Sequence, residues 1–218
     1  MNSLTEDLGK SLIKNIVPVS VDFLENEIDT LISNDTFRSI PILNSICGVI
    51  RVGKDLRERN LLKQTSVFLA EFNSGTIDEE KLQKYKEKLK YDKEKASELE
   101  RVLLILNNNI DVEKSKFLAK LFAAYVNGRI TWDEFCEFAD ITNRFYMEDY
   151  RILKMFWDNK SAPDMKAGDE FRAERIYSAG IVGINPAAVG NGVHVIHGRK
   201  LNRLGKTYCD IIFNKETS

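Results

Sequence analysis

Apolar residues recur along this chain at three- and four-residue intervals, broken by short polar stretches, and that rhythm predicts a succession of amphipathic helices. The intervals mark out helices near 4–16, 20–33, 42–59, 61–73, 79–91, 94–109 and 112–126, then one long helix over 132–157. Two stripes are the clearest. Phe117, Leu118, Leu121, Phe122, Tyr125 and Val126 form one wide apolar face, and Phe135, Phe138, Ile141, Phe145, Ile152, Leu153 and Phe156 form the next. Only 4 prolines in 218 residues, with abundant Lys, Glu and Leu, reinforce the helical reading.

Between those stripes lies Asn127-Gly-Arg-Ile-Thr-Trp-Asp-Glu-Phe135, which looks like the back half of a calcium-binding EF-hand loop. With Gly128 in the sixth position, Asn127, Ile130 and Glu134 occupy the fifth, eighth and twelfth, while the first and third are Ala123 and Tyr125. A hard dication needs several charged oxygens to offset its dehydration, and two are missing. A capped helical corner is therefore expected. Gly128 suits the left-handed residue that closes a helix, and Thr131-x-x-Glu134 is a capping box. The corner recurs: Phe68–Asp78 aligns with Leu121–Thr131 at a constant offset of 53, each running from an aromatic-rich helix through Gly and x-Ile to a capping Asp or Thr. Reuse of a good corner and duplication of a larger unit both account for the match.

The pattern changes after residue 158. Asn159–Gly168 carries Pro163 and Gly168 and reads as a linker between a helical domain at 1–158 and a smaller module at 169–218. In that module a helix near 169–179 precedes Ile181-Val-Gly-Ile184, a turn-rich Asn185–Gly192, and the strand-like Val193-His-Val-Ile-His197. A basic stretch from Arg199 to Lys206 then leads into Tyr208-Cys-Asp-Ile-Ile-Phe213. The expected fold is mainly α, a multi-helix bundle with a small C-terminal α+β appendage.

Arg175-Ile-x-x-Ala-Gly-Ile-Val182, a two-stranded wing and Leu201-x-x-Leu-Gly-Lys-x-Tyr208 resemble the second half of a winged-helix domain. That resemblance implies a wing and preceding helix that meet DNA or, in many such modules, a protein. The chain as a whole is similar to a group of uncharacterised bacterial and prophage-type helical proteins through Ile40-Pro41-Ile42, the basic Arg51–Arg59 segment and the two corners. This likeness implies a bacterial or phage setting, with a role in phage defence.

The net charge of −1 gives no global pull towards nucleic acid or anionic membranes, although residues 160–218 hold a local +3 against −4 before them. Cys47, Cys136 and Cys209 are odd in number and far apart, which suits buried thiols in a reducing cytoplasm. The N-terminus has no basic region followed by an apolar core, so no secretory signal is expected. The longest uncharged run, Ser39–Ile50, is too short to span a bilayer, which takes about 20 residues. It reads as a core helix starting near Pro41 with Ile42, Leu43, Ile46, Val49 and Ile50 inward. A membrane- or partner-facing surface through the 39–63 helix, using Arg51, Lys54, Arg57 and Arg59, is the alternative.

Catalytic chemistry finds little support. His194 and His197 are the two histidines, and their odd spacing on a strand points them to opposite faces, away from a shared metal or a pairing with Cys209. Gly190-Asn-Gly192 lacks the Lys and Ser/Thr of a phosphate loop. No cofactor, metal or enzymatic activity is expected. The expected role is macromolecule binding, to a protein partner or a second copy. The alternatives are nucleic acid through Arg199, Lys200, Arg203 and Lys206, or a membrane surface.

Overall fold

Helical periodicity becomes helix almost throughout the parts of the chain that the structure, a computed structural model, describes: residues 3–12, 35–50, 56–74, 77–158, 168–184 and 199–213. The helices are α1 (Ser3–Ser11), α2 (Asp35–Arg38), α3 (Pro41–Ile50), α4 (Leu56–Ser74), α5 (Glu79–Tyr91), α6 (Lys93–Asn108), α7 (Val112–Val126), α8 (Trp132–Arg144), α9 (Met147–Trp157), α10 (Asp169–Ser178) and α11 (Arg203–Phe213). Strands β1 (Val182–Ile184) and β2 (Arg199–Leu201) form a small antiparallel sheet. The fold is mainly α, a helical bundle with a small α+β part near the C-terminus. Packing separates two compact units, 1–139 and 140–217, and the division falls inside α8. The expected linker at 159–168 lies, apart from Gly168, outside the described residues.

In the first unit α4 and α7 make the most extensive helix pairing. Phe122 is its hub, with ring centroids 6.0 Å from Phe68, 5.6 Å from Phe72, 5.7 Å from Phe135 and 5.7 Å from an edge-on Tyr85. Phe68, Phe72, Phe122 and Phe135 are wholly buried. Each such ring contributes roughly 1.5–3 kcal/mol by leaving water, with about 0.5–1.5 kcal/mol more per well-placed aromatic pair.

Four polar side chains at this pairing, Asn60, Gln64, Asn109 and Ser115, are matched to one another or to backbone. The buried Gln64 side chain donates to the Ile110 carbonyl (2.8 Å) and accepts from Ser115 Oγ (2.7 Å). Asn109 donates to the same Ser115 oxygen (3.3 Å), and Asn60 donates to the Asn109 carbonyl (2.7 Å). The loop between α6 and α7 is thereby fastened to α4. Elsewhere α1 packs against α3 and α6, with Ser11 Oγ accepting the Ile42 N–H at 3.1 Å. Asp92 alone joins α5 to α6: its N–H bonds to Lys88 O (2.9 Å) and its carboxylate caps Glu94 N (2.8 Å).

In the second unit α11 packs on α9 and on β2. The strands pair Val182 with Leu201, Gly183 with Lys200 and Ile184 with Arg199. Tyr208 is fully buried, its hydroxyl 2.8 Å from Thr142 Oγ1 and 3.4 Å from the Tyr150 hydroxyl. Asn202 caps the start of α11 by accepting the Gly205 N–H (2.9 Å) while donating to the Gly180 carbonyl (2.7 Å). Two fully buried carboxylates fasten α10: Asp149 takes the Arg175 guanidinium (2.7 and 3.3 Å), and Asp169 takes Arg151 and Arg172.

Three expectations are corrected. The single helix over 132–157 is two helices, broken at Phe145 and Tyr146, because the Asp149 carboxylate accepts the Tyr146 N–H at 2.7 Å and starts α9 afresh. The expected break near residue 60 is absent: Asn60 lies inside α4, which runs unbroken from Leu56 to Ser74. Val49 is 47% exposed, whereas Ile42, Leu43, Ile46 and Ile50 are buried as the core reading requires.

Candidate functional site

The corner at Asn127–Phe135 forms as a capped turn. Gly128 has φ +70°, the Arg129 N–H reaches the Ala124 carbonyl (2.8 Å) and the Gly128 N–H reaches Tyr125 O (2.8 Å), which closes α7. Glu134 accepts the Thr131 N–H (2.9 Å) while Thr131 Oγ1 accepts the Glu134 N–H (3.2 Å), which opens α8. Glu134, in the twelfth position of a calcium loop, is thus engaged in backbone capping. The upstream corner ends alike, with Asp78 accepting the Lys81 N–H at 3.1 Å. Ile77 and Ile130, its equivalent 53 residues on, are both buried.

Beneath the second corner sits a polar cluster that periodicity alone did not reveal. Glu98 on α6, 5% exposed, accepts the Tyr125 hydroxyl at 2.8 Å and the Tyr85 hydroxyl at 3.3 Å. Lys95 bonds to both Glu98 and Tyr125 and lies 5.3 Å from the Tyr125 ring centre. Trp132 packs on Tyr125 (5.2 Å) and stacks on Phe135 (4.8 Å), closing the cluster. Burial pushes the Tyr125 phenol up to about 12, with Lys95 opposing and Glu98 adding to the rise. Burial pulls the Lys95 ammonium down, but its bonds to Glu98 and Tyr125 more than offset this and leave it raised. The cluster is a satisfied ion-and-hydroxyl network, built to hold α5, α6 and α7 together.

Of the basic residues singled out in the C-terminal module, Lys200 lies on β2 and Arg203 and Lys206 lie one turn apart on α11; all three are exposed. Arg199 is the strand partner of Ile184. The Asn202 cap and the tight approach of Gly205 to the Ile181 carbonyl hold this basic turn rigidly. In the other set Arg51 and Lys54 lie outside the described residues. Arg57 is exposed and faces the Asn107 side-chain oxygen at 3.2 Å, and Arg59 is half-buried on the same first turn of α4. Two residues apart on a helix, Arg57 and Arg59 point to different sides.

His194 and His197 lie outside the described residues. Cys47 and Cys209 are buried, and burial pushes the Cys209 thiol well up, away from thiolate chemistry. Among the described residues no group of three or more His, Cys, Asp or Glu side chains is placed to hold a metal, and no helix is long and apolar enough to cross a membrane.

Large apolar side chains also stand in solvent. Leu56 (82% exposed), Leu104 (58%) and Ile110 (84%) belong to the first turn of α4, the last turns of α6 and the loop after it, which the Asn60–Asn109 bond ties to α4. Sequence periodicity did not single them out. The chain matches no protein-family model, no curated protein and no solved structure.

Proposed function

We propose that this protein acts by binding another protein, with the Leu56–Leu104–Ile110 end of the first unit as the contact surface. The observation that carries this reading is the exposure of three large apolar side chains on α4, α6 and the loop that the Gln64 and Asn60 bonds fasten to α4. Large apolar side chains gathered on a polar-rimmed surface are characteristic of interaction sites. Arg57, on the same turn as Leu56, supplies a polar rim. Three free thiols, of which Cys47 and Cys209 are buried, suit a cytoplasmic location, and the resemblance of the chain to bacterial and prophage-type proteins suits a phage-defence setting. The test is affinity capture of the full chain from its native host, comparing wild type with a Leu104→Glu/Ile110→Glu variant of unchanged circular dichroism. A partner retained by wild type and lost by the variant is expected. Retention by both would overturn the reading.

Nucleic-acid binding through the C-terminal module is the second reading. It is supported by the exposure of Lys200, Arg203 and Lys206 on a hairpin-and-helix arrangement like the wing end of a winged-helix domain. A salt-sensitive gel shift that disappears when Arg199, Lys200, Arg203 and Lys206 become Ala is expected; no shift at low salt would remove it.

A further inference from the structure

Asn127 is followed by glycine, and an Asn-Gly pair has a chemistry of its own. The Gly128 nitrogen can give up its proton and attack the side-chain carbon Cγ of Asn127. The Cγ–Nδ2 bond then breaks, and the side-chain nitrogen leaves as ammonia with the displaced proton. Water opens the resulting five-membered succinimide at either carbonyl. Asparagine and water thus become ammonia and either aspartate or isoaspartate. Glycine favours the attack because no side chain shields its nitrogen, and a Cβ added at Gly128 would meet nothing within 4 Å.

The folded corner opposes this reaction at each group involved. Asn127 closes α7 with φ −72° and ψ −5°. That ψ brings the Gly128 nitrogen over the Asn127 nitrogen, whereas the succinimide ring needs it over Cβ, so ψ must leave the helical region before the ring can close. The Gly128 N–H is bonded to Tyr125 O at 2.8 Å, which holds back the proton that has to leave. The Asn127 side-chain oxygen accepts the Asp78 N–H at 3.0 Å, which fixes the amide under attack. Lys81 Nζ holds the Asn127 carbonyl, which must turn with ψ, at 2.6 Å. The last two bonds come from the start of α5, 49 and 46 residues away in the sequence.

We propose that Asn127 is a deamidation site gated by the start of α5. While Asp78 and Lys81 hold the corner, the amide persists; when they let go, the succinimide forms. The isoaspartyl product carries the chain through the side-chain carbon and adds a methylene to the turn. The Gly128 and Arg129 N–H groups then no longer meet the Tyr125 and Ala124 carbonyls, and the corner cannot close again. Opening of this local kind sets the rate, because only the open fraction reacts. None of the residues of the protein-binding surface proposed above takes part.

The test is incubation of the full chain in mildly alkaline buffer, with and without concentrated urea. Peptide mapping by mass spectrometry follows loss of the amide at Asn127, resolves it from Asn191-Gly192, and separates isoaspartate from aspartate. Loss in buffer should be slower than in urea by about tenfold or more. Lys81→Ala, with circular dichroism unchanged, should raise the rate in buffer about threefold or more and leave the rate in urea as it was. Gly128→Ala should slow the reaction in urea, which identifies the attacking nitrogen. Equal rates in buffer and urea, no product at Asn127 in urea, or a rate in buffer indifferent to Lys81 would overturn the proposal.

Discussion

The side-chain oxygen of Asn127 accepts the backbone N–H of Asp78 at 3.0 Å, so the end of one helical corner is pinned by the start of the other. Lys81 Nζ adds a bond to the Asn127 carbonyl at 2.6 Å. The residue that suggests a calcium ligand is thus spoken for twice, and Glu134 is committed to Thr131. Millimolar calcium should leave the melting temperature unchanged in a thermal-shift experiment. Asn127→Ala should cost about 1 kcal/mol, the worth of one neutral hydrogen bond, in urea unfolding.

Thr65 is wholly buried on α4 and among the described residues its hydroxyl has no hydrogen-bond partner. An orphan hydroxyl costs roughly 1–3 kcal/mol of desolvation. Thr65→Val keeps the shape and the β-branch and removes that cost. The variant should be about 1 kcal/mol more stable; a destabilised variant in chemical denaturation would mean that the hydroxyl finds a partner in solution.

Two glycines should respond in opposite degree. At Gly128 an added Cβ meets nothing within 4 Å, so Gly128→Ala carries only the left-handed strain, about 1–2 kcal/mol. At Gly205 the same atom would stand against the Ile181 carbonyl oxygen, and backbone would have to move. Gly205→Ala should therefore lower stability clearly more than Gly128→Ala, and hydrogen exchange should show the loss concentrated in α11 and β1.

Arg175 closes the buried Asp149 carboxylate and lies 4.6 Å from the Tyr146 ring centre. Removing the arginine strands the carboxylate, which for fully buried pairs costs about 3–5 kcal/mol. Because Arg175 is itself 36% exposed, Arg175→Ala should cost about 2 kcal/mol. Arg175→Lys should recover only part, since it cannot offer the forked pair of N–H groups. Equal stability of wild type and Arg175→Ala in denaturant would refute the clasp.

Stability should fall at high pH through the Glu98 cluster. A phenol whose pKa is raised on folding favours the folded state below its ordinary value of 10 and loses that contribution as pH climbs towards about 12. Tyr85 is pushed upward in the same direction, by burial first and Glu98 second. Between pH 10 and about 12 the wild type should therefore lose stability more steeply than Tyr125→Phe, with the phenolate absorbance of Tyr125 appearing in that interval. Parallel curves would exclude this role.

Periodicity placed α5, α6, α7 and α10 within a residue of their ends because each buries one stripe, and Asp78, Asp92 and Thr131 sit at the helix starts they signal. It missed the break at Phe145–Tyr146 because the apolar spacing continues through it and tyrosine is no customary cap. The decisive group, Asp149, serves α10 as well, through an arginine 26 residues later. Glu98 was equally hidden. An acid on an amphipathic helix, here with Lys95 one turn before it, reads as solvated, and only the fold brings Tyr85 and Tyr125 to it. The basic residues of α11 were legible as charges, whereas the rigidity of their turn depends on Asn202 and Gly205.

The Gln64–Ser115–Asn109 network has a consequence for how the core reaches one arrangement. The aromatic faces of α4 and α7 are repetitive, and sliding one helix past the other by a turn would still bring ring against ring. That slide would leave the Gln64 amide, the Ser115 hydroxyl and the Ile110 carbonyl facing hydrocarbon with nothing to bond. Hydrophobic burial makes the two helices associate; three polar atoms choose the single alignment in which they stop.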